Sequence, residues 1–234
     1  ILASLPIYSV EMYTLGPDRP EIDPNMGSNS GISEMLKLFI GITLTCLVGS
    51  AMADGDAGRG KDMVAVCAAC HGQDGNSPAG AFPSLAGQNS RYLVKQMQEI
   101  KSGERASPLM TGLLDAMSDQ DLEDIAAHYG GQSAKRGAAK ADLVELGEEI
   151  YRAGIKRKDI AACTSCHSPL GQGNSPAGFP MLAGQWPDYT EAQLRAFRSG
   201  ERTNDGDSKM MRITAMDLSD KEIEAVSSYI YGMK

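Results

Sequence analysis

One block of this chain is written twice in the same order, and that duplication limits its fold more than any other feature. Cys67-Ala68-Ala69-Cys70-His71 returns as Cys163-Thr164-Ser165-Cys166-His167. Gly75-Asn76-Ser77-Pro78-Ala79-Gly80 returns at 173–178, and Phe82-Pro83-Ser84-Leu85-Ala86-Gly87-Gln88 returns as Phe179-Pro180-Met181-Leu182-Ala183-Gly184-Gln185. Ser102-Gly103-Glu104-Arg105 matches Ser199-Gly200-Glu201-Arg202, and the stretch from Ser118 to Leu122 matches that from Ser219 to Ile223. Ordered matches of this kind mark a duplicated domain. The expected boundaries are 54–131 and 142–234, joined by 132–141. The Gly- and Ser-containing stretch from Gly130 to Gly137 reads as a flexible linker.

Each copy reads as helices joined by loops, so the expected fold class is all-α. An opening helix precedes each Cys motif, and in the second copy Asp142 with Glu145 forms a cap-like pair at its start. A loop rich in Gly and Pro follows, then a helix around Tyr92–Ile100 or Tyr189–Arg198. The closing helices start at capping boxes, Ser118 with Asp121 and Ser219 with Glu222. Leu122, Ile125, Ala126 and Tyr129, like Ile223, Val226 and Ile230, then recur at helical spacing. No run alternates as a strand does. A copy this small has a marginal core, which a large buried cofactor would fill.

Cys-x-x-Cys-His is the signature of covalent haem attachment. Two thiols add across the two vinyl groups, and the adjacent His sits under the iron. Cys67, Cys70, Cys163 and Cys166 are therefore expected to hold two haem c groups, with His71 and His167 as proximal ligands. Zinc would want four ligands, and each copy offers two Cys and one His. A thioredoxin-type motif would need a βαβ unit, and a plain disulfide would not explain His at the same place twice.

The repeat also selects the sixth ligand. With Ser118 and Ser219 aligned, Met110 and Met211 stand in register, whereas Met117 aligns with Leu218 and Met210 with Leu109. Met110 and Met211 are the expected axial ligands, and Met117 and Met210 read as packing residues. His/Met ligation fills both axial positions, which suits electron transfer rather than oxygen or peroxide chemistry. A proximal His should donate its other ring N–H to a carbonyl, and Pro83 and Pro180 are placed to offer one. Arg105 and Arg202 recur with two readings open, compensation of haem propionate charge or solvated loop charge. His128 reads as a packing residue, and Trp186 as a packing or surface residue.

Residues 1–34, rich in Pro, Gly and acidic side chains, are expected to be a disordered or mispredicted extension. Lys37, the apolar run to Met52 and the ending Ala51-Met52-Ala53 make 35–53 a secretory signal peptide, cleaved after Ala53. Cys46 would leave with it. The net charge of −8 and the lack of a basic stripe speak against nucleic-acid binding.

These residues resemble the two-haem cytochrome c4 family over nearly all of 54–234. The likeness is carried by both haem motifs, the paired Phe-Pro-x-Leu-Ala-Gly-Gln segments, Tyr92-Leu93-Val94-Lys95-Gln96-Met97, Met110-Thr111-Gly112 and Arg202-Thr203-Asn204-Asp205-Gly206-Asp207. The resemblance implies two tandem class I cytochrome c domains about an approximate two-fold axis. It also implies a periplasmic, soluble or loosely membrane-associated electron carrier. Its partners would be redox proteins, a quinol-oxidising donor complex and a terminal cytochrome c oxidase, with no small-molecule substrate and no catalysis. His128 departs from the aromatic residue expected at its position. Two other classes remain, the cytochrome subunit of a dehydrogenase and a two-haem peroxidase.

Overall fold

The computed structural model describes residues 55–233. The extension, signal peptide and Cys46 lie outside the described residues. Within them the chain is helical, with two isolated bridges and no strand.

The first copy comprises α1 (Ala57–Met63), α2 (Ala65–His71), α3 (Ser90–Ser102), a 3-10 turn (Pro108–Met110) and α4 (Asp119–Gly130). The second comprises α5 (Val144–Ala153), a 3-10 turn (Lys156–Lys158), α6 (Thr164–His167), α7 (Pro187–Ser199), α8 (Met210–Ala215) and α9 (Asp220–Gly232). Both closing helices start at the expected capping boxes: Ser118 and Ser219 accept from the third backbone N–H of the helix, whose acidic side chain bonds back. The Ser-Gly-Glu-Arg repeats end α3 and α7, where Gly103 and Gly200 take the left-handed conformation that terminates a helix.

Opening and closing helices cross at a glycine in each copy. A Cβ on Gly60 would lie 2.0 Å from the Asp124 carbonyl oxygen, and one on Gly147 2.3 Å from that of Ala225. The backbones touch there because no side chain intervenes. The residue over each glycine is His128 in one copy and Tyr229 in the other. Val64, Leu93, Ile125, Ala126 and Tyr129 form the first core. The second copy has two clusters, one built on Tyr151, Val226 and Ile230, the other on Ile160, Phe197 and Ile223.

The expected Asp142–Glu145 cap does not form. The chain turns through 141–143, and α5 starts at Val144 behind Leu143, which makes no side-chain cap. Leu143 is buried, so the apolar side chain fixes the helix entry. The second copy also carries a longer connection before its motif. Ile155 and Ile160 exchange backbone hydrogen bonds of 2.9 and 3.2 Å around the 3-10 turn. Lys158 and Arg157 from this turn pair with the buried Glu222 at 2.6 and 3.0 Å.

The segment between the copies, read from sequence as flexible, is tied to both. The Lys135 N–H donates to Asn76 Oδ1 (2.7 Å), Gly137 N–H to the Tyr231 carbonyl (3.1 Å) and Lys140 N–H to Ser228 Oγ (2.8 Å).

The copies meet through equivalent residues. Gln185 binds the backbone of Ser84 through both amide atoms, accepting from its N–H and donating to its carbonyl, each at 2.9 Å. Gln88 does the same to Met181, the repeat counterpart of Ser84, at 2.7 and 2.8 Å. Such reciprocity is the mark of an isologous, approximately two-fold interface. Arg105 and Arg202 lie in it as well, and Arg202 is 9% exposed, which removes the solvated-loop reading for that residue. Trp186 breaks the symmetry. It stacks on Tyr231 and donates from its indole N–H to the Ser77 carbonyl at 3.0 Å.

Candidate haem-binding sites

The short helix α2 presents Cys67, Cys70 and His71 together, and in the second copy Cys163 stands at the start of α6 with Cys166 and His167 inside it. All four thiols are free and half-buried. Burial pushes the Cys163 thiol up to about 11 and raises that of Cys67 as well. Cys67 packs against the Val64–Tyr129 core and Cys163 against the Tyr151–Val226 core. One thiol of each pair thus lies against an apolar wall.

His71 and His167 are both buried. Nδ1 of His71 lies 2.8 Å from the Pro83 carbonyl oxygen, and Nδ1 of His167 lies 3.0 Å from that of Pro180. A carbonyl only accepts, so each Nδ1 carries the proton and each Nε2 keeps its lone pair for a metal. Burial, partly offset by these carbonyl bonds, lowers both imidazole pKa values and so favours the neutral, ligating form. Phe82 and Phe179, one residue before each Pro, lie 6.4 and 6.2 Å from the imidazole rings. The Phe-Pro repeats therefore supply both the carbonyl and the ring that fix each imidazole.

Met110 ends the 3-10 turn ahead of α4 and is half-buried; Met211 is the second residue of α8 and packs beside Ile160, Phe197 and Leu218. Met117 packs into the first core, as expected. Met210, expected to pack, is 46% exposed. It is the first residue of α8.

The donor set fits haem c. Each copy offers two unpaired thiols on one short helix, an imidazole with one nitrogen held by a carbonyl, and apolar surroundings. Among the described residues no group of three or more His, Cys, Asp or Glu side chains gathers as a site for a bare metal ion. Nor is any described helix long and apolar enough to cross a membrane.

Sequence reasoning missed the interface residues. Gln88, Gln185, Gln96, Gln193, Tyr92 and Tyr189 all stand at repeat-equivalent positions. Polar residues kept in both copies were the available signal.

The family model "Cytochrome c" matches residues 57–129 and 144–234. Cytochrome c4 of Pseudomonas aeruginosa is 53% identical over 200 residues, spanning 85% of this chain and all of that protein. The crystal structure of reduced recombinant cytochrome c4 from Pseudomonas stutzeri gives a TM-score of 0.76 at 53% identity, covering 77% of this chain and 100% of that one. A thiosulfate dehydrogenase electron acceptor of Stutzerimonas stutzeri is 38% identical, over 74% of this chain and 81% of that protein. With two cytochrome c domains meeting about an approximate two-fold axis, the chain belongs to the cytochrome c4 family of electron carriers, and its cofactors are two covalently bound haem c groups.

Proposed function

We propose that this cytochrome accepts electrons in the periplasm from a quinol-oxidising complex and delivers them to a terminal cytochrome c oxidase, without transforming a substrate itself. Cys67 and Cys70 hold one haem and Cys163 and Cys166 the other. His71 and His167 are the proximal ligands, and Met110 and Met211 the distal ones. The bound haem supplies reversible one-electron exchange between ferric and ferrous iron. The protein's part would be to supply two ligands to each iron. The Pro83 and Pro180 carbonyls hold the imidazoles in one tautomer and orientation, and the sulfurs of Met110 and Met211 would be the second protein ligands to the irons. The observation that carries this assignment is the same Nδ1-to-carbonyl bond in both copies. The signal peptide read at 35–53 supports the periplasmic location, and any membrane attachment is weak and peripheral.

A second reading draws on the 38% identity to a thiosulfate dehydrogenase electron acceptor: this chain takes electrons from a dehydrogenase. The test is reduction of the purified holoprotein by each donor, followed by reoxidation with terminal oxidase. Rapid reduction by the quinol-oxidising complex, with oxidase turnover, is expected. Reduction only by a co-purifying dehydrogenase would establish the second reading.

A further inference from the structure

The two methionines assigned as distal ligands sit on segments held in different ways. Met110 is the fifth residue after Arg105, whereas Met211 is the ninth after Arg202, so the second copy carries four more residues ahead of its methionine. This longer segment supplies a brace. Asp205, whose side chain is 4% exposed, accepts from the Arg212 backbone N–H through Oδ2 (2.9 Å) and from Arg212 Nε through Oδ1 (2.7 Å). Arg212 Nη2 donates to the Thr203 and Gly206 carbonyls at 3.2 and 3.3 Å. Arg212 directly follows Met211, and its N–H is the third of α8. Asp205 therefore caps the helix that carries Met211 and grips it through a charged fork. Met211 also packs on the core of Ile160, Phe197 and Leu218.

The first copy has no counterpart to this brace. The residue after Met110 is Thr111, whose hydroxyl donates to the Ser107 carbonyl at 3.4 Å. Among the described residues, every hydrogen bond made by 106–113 closes within 106–115; Met110 N–H donates to Ser107 (2.9 Å) and Leu113 N–H to Met110 (3.1 Å). Met110 joins none of the three apolar cores, and Leu109 and Leu113 are 73% and 47% exposed. Between this segment and the end of α3 lies a cavity of about 330 Å³, lined by Ile100, Lys101, Ser107, Thr111 and Asp115 among others. A segment with only local bonds and empty space beside it opens at lower cost than a capped helix gripped by a buried carboxylate.

We infer that Asp205 and Arg212 are positioning residues that hold Met211 in place, and that Met110, which has no such brace, is the exchangeable ligand, so that the first copy alone admits a small neutral nitrogen donor at its iron. This rests on the assignment of Met110 and Met211 as distal ligands. In the exchange the iron–sulfur bond to Met110 breaks and a bond from the donor's nitrogen lone pair forms; no electron or proton is transferred. The adjoining cavity gives the Met110 turn room to move.

The test titrates the oxidised two-haem holoprotein with imidazole and follows the weak red band of iron–methionine sulfur ligation. About half of the band should be lost, and the other half should persist to roughly tenfold higher imidazole. In Met211→Ala the remaining band should be lost in the low range, and in Met110→Ala it should survive there, which assigns the exchange to Met110. D205N and R212Q should bring the second half of the band into the low range. R212K, which keeps a cation for Asp205, should fall between them and wild type. E222Q, which weakens the second copy elsewhere, should respond as wild type does and so separates bracing from general stability. Amide exchange is a readout without imidazole: Met110 and Leu113 should exchange faster than Arg212 and Ile213. If D205N and R212Q do not fold, the wild-type titration, the methionine variants and amide exchange still decide. Equal loss of both halves in wild type, a Met110 segment as protected as α8, or an E222Q response like that of D205N would overturn the inference. A wild-type spectrum with no sulfur band before imidazole is added would overturn the methionine assignment itself, and the inference with it.

Discussion

The side-chain amide of Gln88 reads the backbone of Met181 like a strand neighbour, accepting from its N–H at 2.7 Å and donating to its carbonyl at 2.8 Å. One side chain thus satisfies two backbone groups of the opposite copy. Gln88→Ala should leave both without a protein partner and lower stability by about 2 kcal/mol. Denaturant unfolding gives the magnitude, and faster amide exchange at Met181 gives the location. Unchanged exchange at Met181 would mean that the bond does not hold the interface.

The helix crossings permit no methyl group. Gly60→Ala and Gly147→Ala would each drive a Cβ into backbone rather than into a movable side chain. Each should cost about 3 kcal/mol. The melting temperature of each variant checks this; a value within a degree of wild type would refute the crossing geometry.

His128 is buried, and its Nε2 has no partner among the described residues. Tyr229, its counterpart, reaches Glu148 Oε1 at 3.3 Å. Position 61, the repeat equivalent of Glu148, is a lysine, which offers no acceptor to His128. His128→Phe removes an unpaired polar atom from the α1–α4 crossing and should stabilise the protein by about 1 kcal/mol. Thermal unfolding of the variant is the check, and destabilisation would mean that His128 has a partner after all.

Glu222 gives the second copy an acid-sensitive anchor. Burial works to raise its pKa, but the bonds from Lys158 and Ser219 overcome it and hold the carboxyl at about 2, below its ordinary 4.5. A depressed pKa means that the contribution is complete above about pH 4.5 and is lost as pH falls toward 2. Glu222→Gln should therefore be less stable than wild type at pH 7, with the gap closing between pH 4.5 and 2. Unfolding midpoints at pH 7 and pH 3 measure it. An equal gap at both pH values would contradict the assignment.

The duplication was legible because whole segments recur in the same order, and the helices and their capping boxes because each depends on residues near in sequence. The carbonyls of Pro83 and Pro180 were legible because the motif places them at nearly the same distance after each His. The Gln88–Met181 and Arg105–Tyr189 contacts join positions far apart in the chain, where periodicity says nothing. Asp142 looked like a cap by composition, but the burial of Leu143 decided where α5 begins. Met210 looked like core by residue type, and only the turn into α8 shows that it faces out.

Two His/Met-ligated haems per chain are the central claim, and the visible spectrum with the haem-to-protein ratio tests it most directly. The holoprotein, matured in a periplasm with haem attachment, should carry two covalent haems and show the weak red band of iron–methionine sulfur ligation. Met110→Ala and Met211→Ala should each remove about half of that band. One haem per chain, or a band that survives at full strength in either variant, would contradict the account.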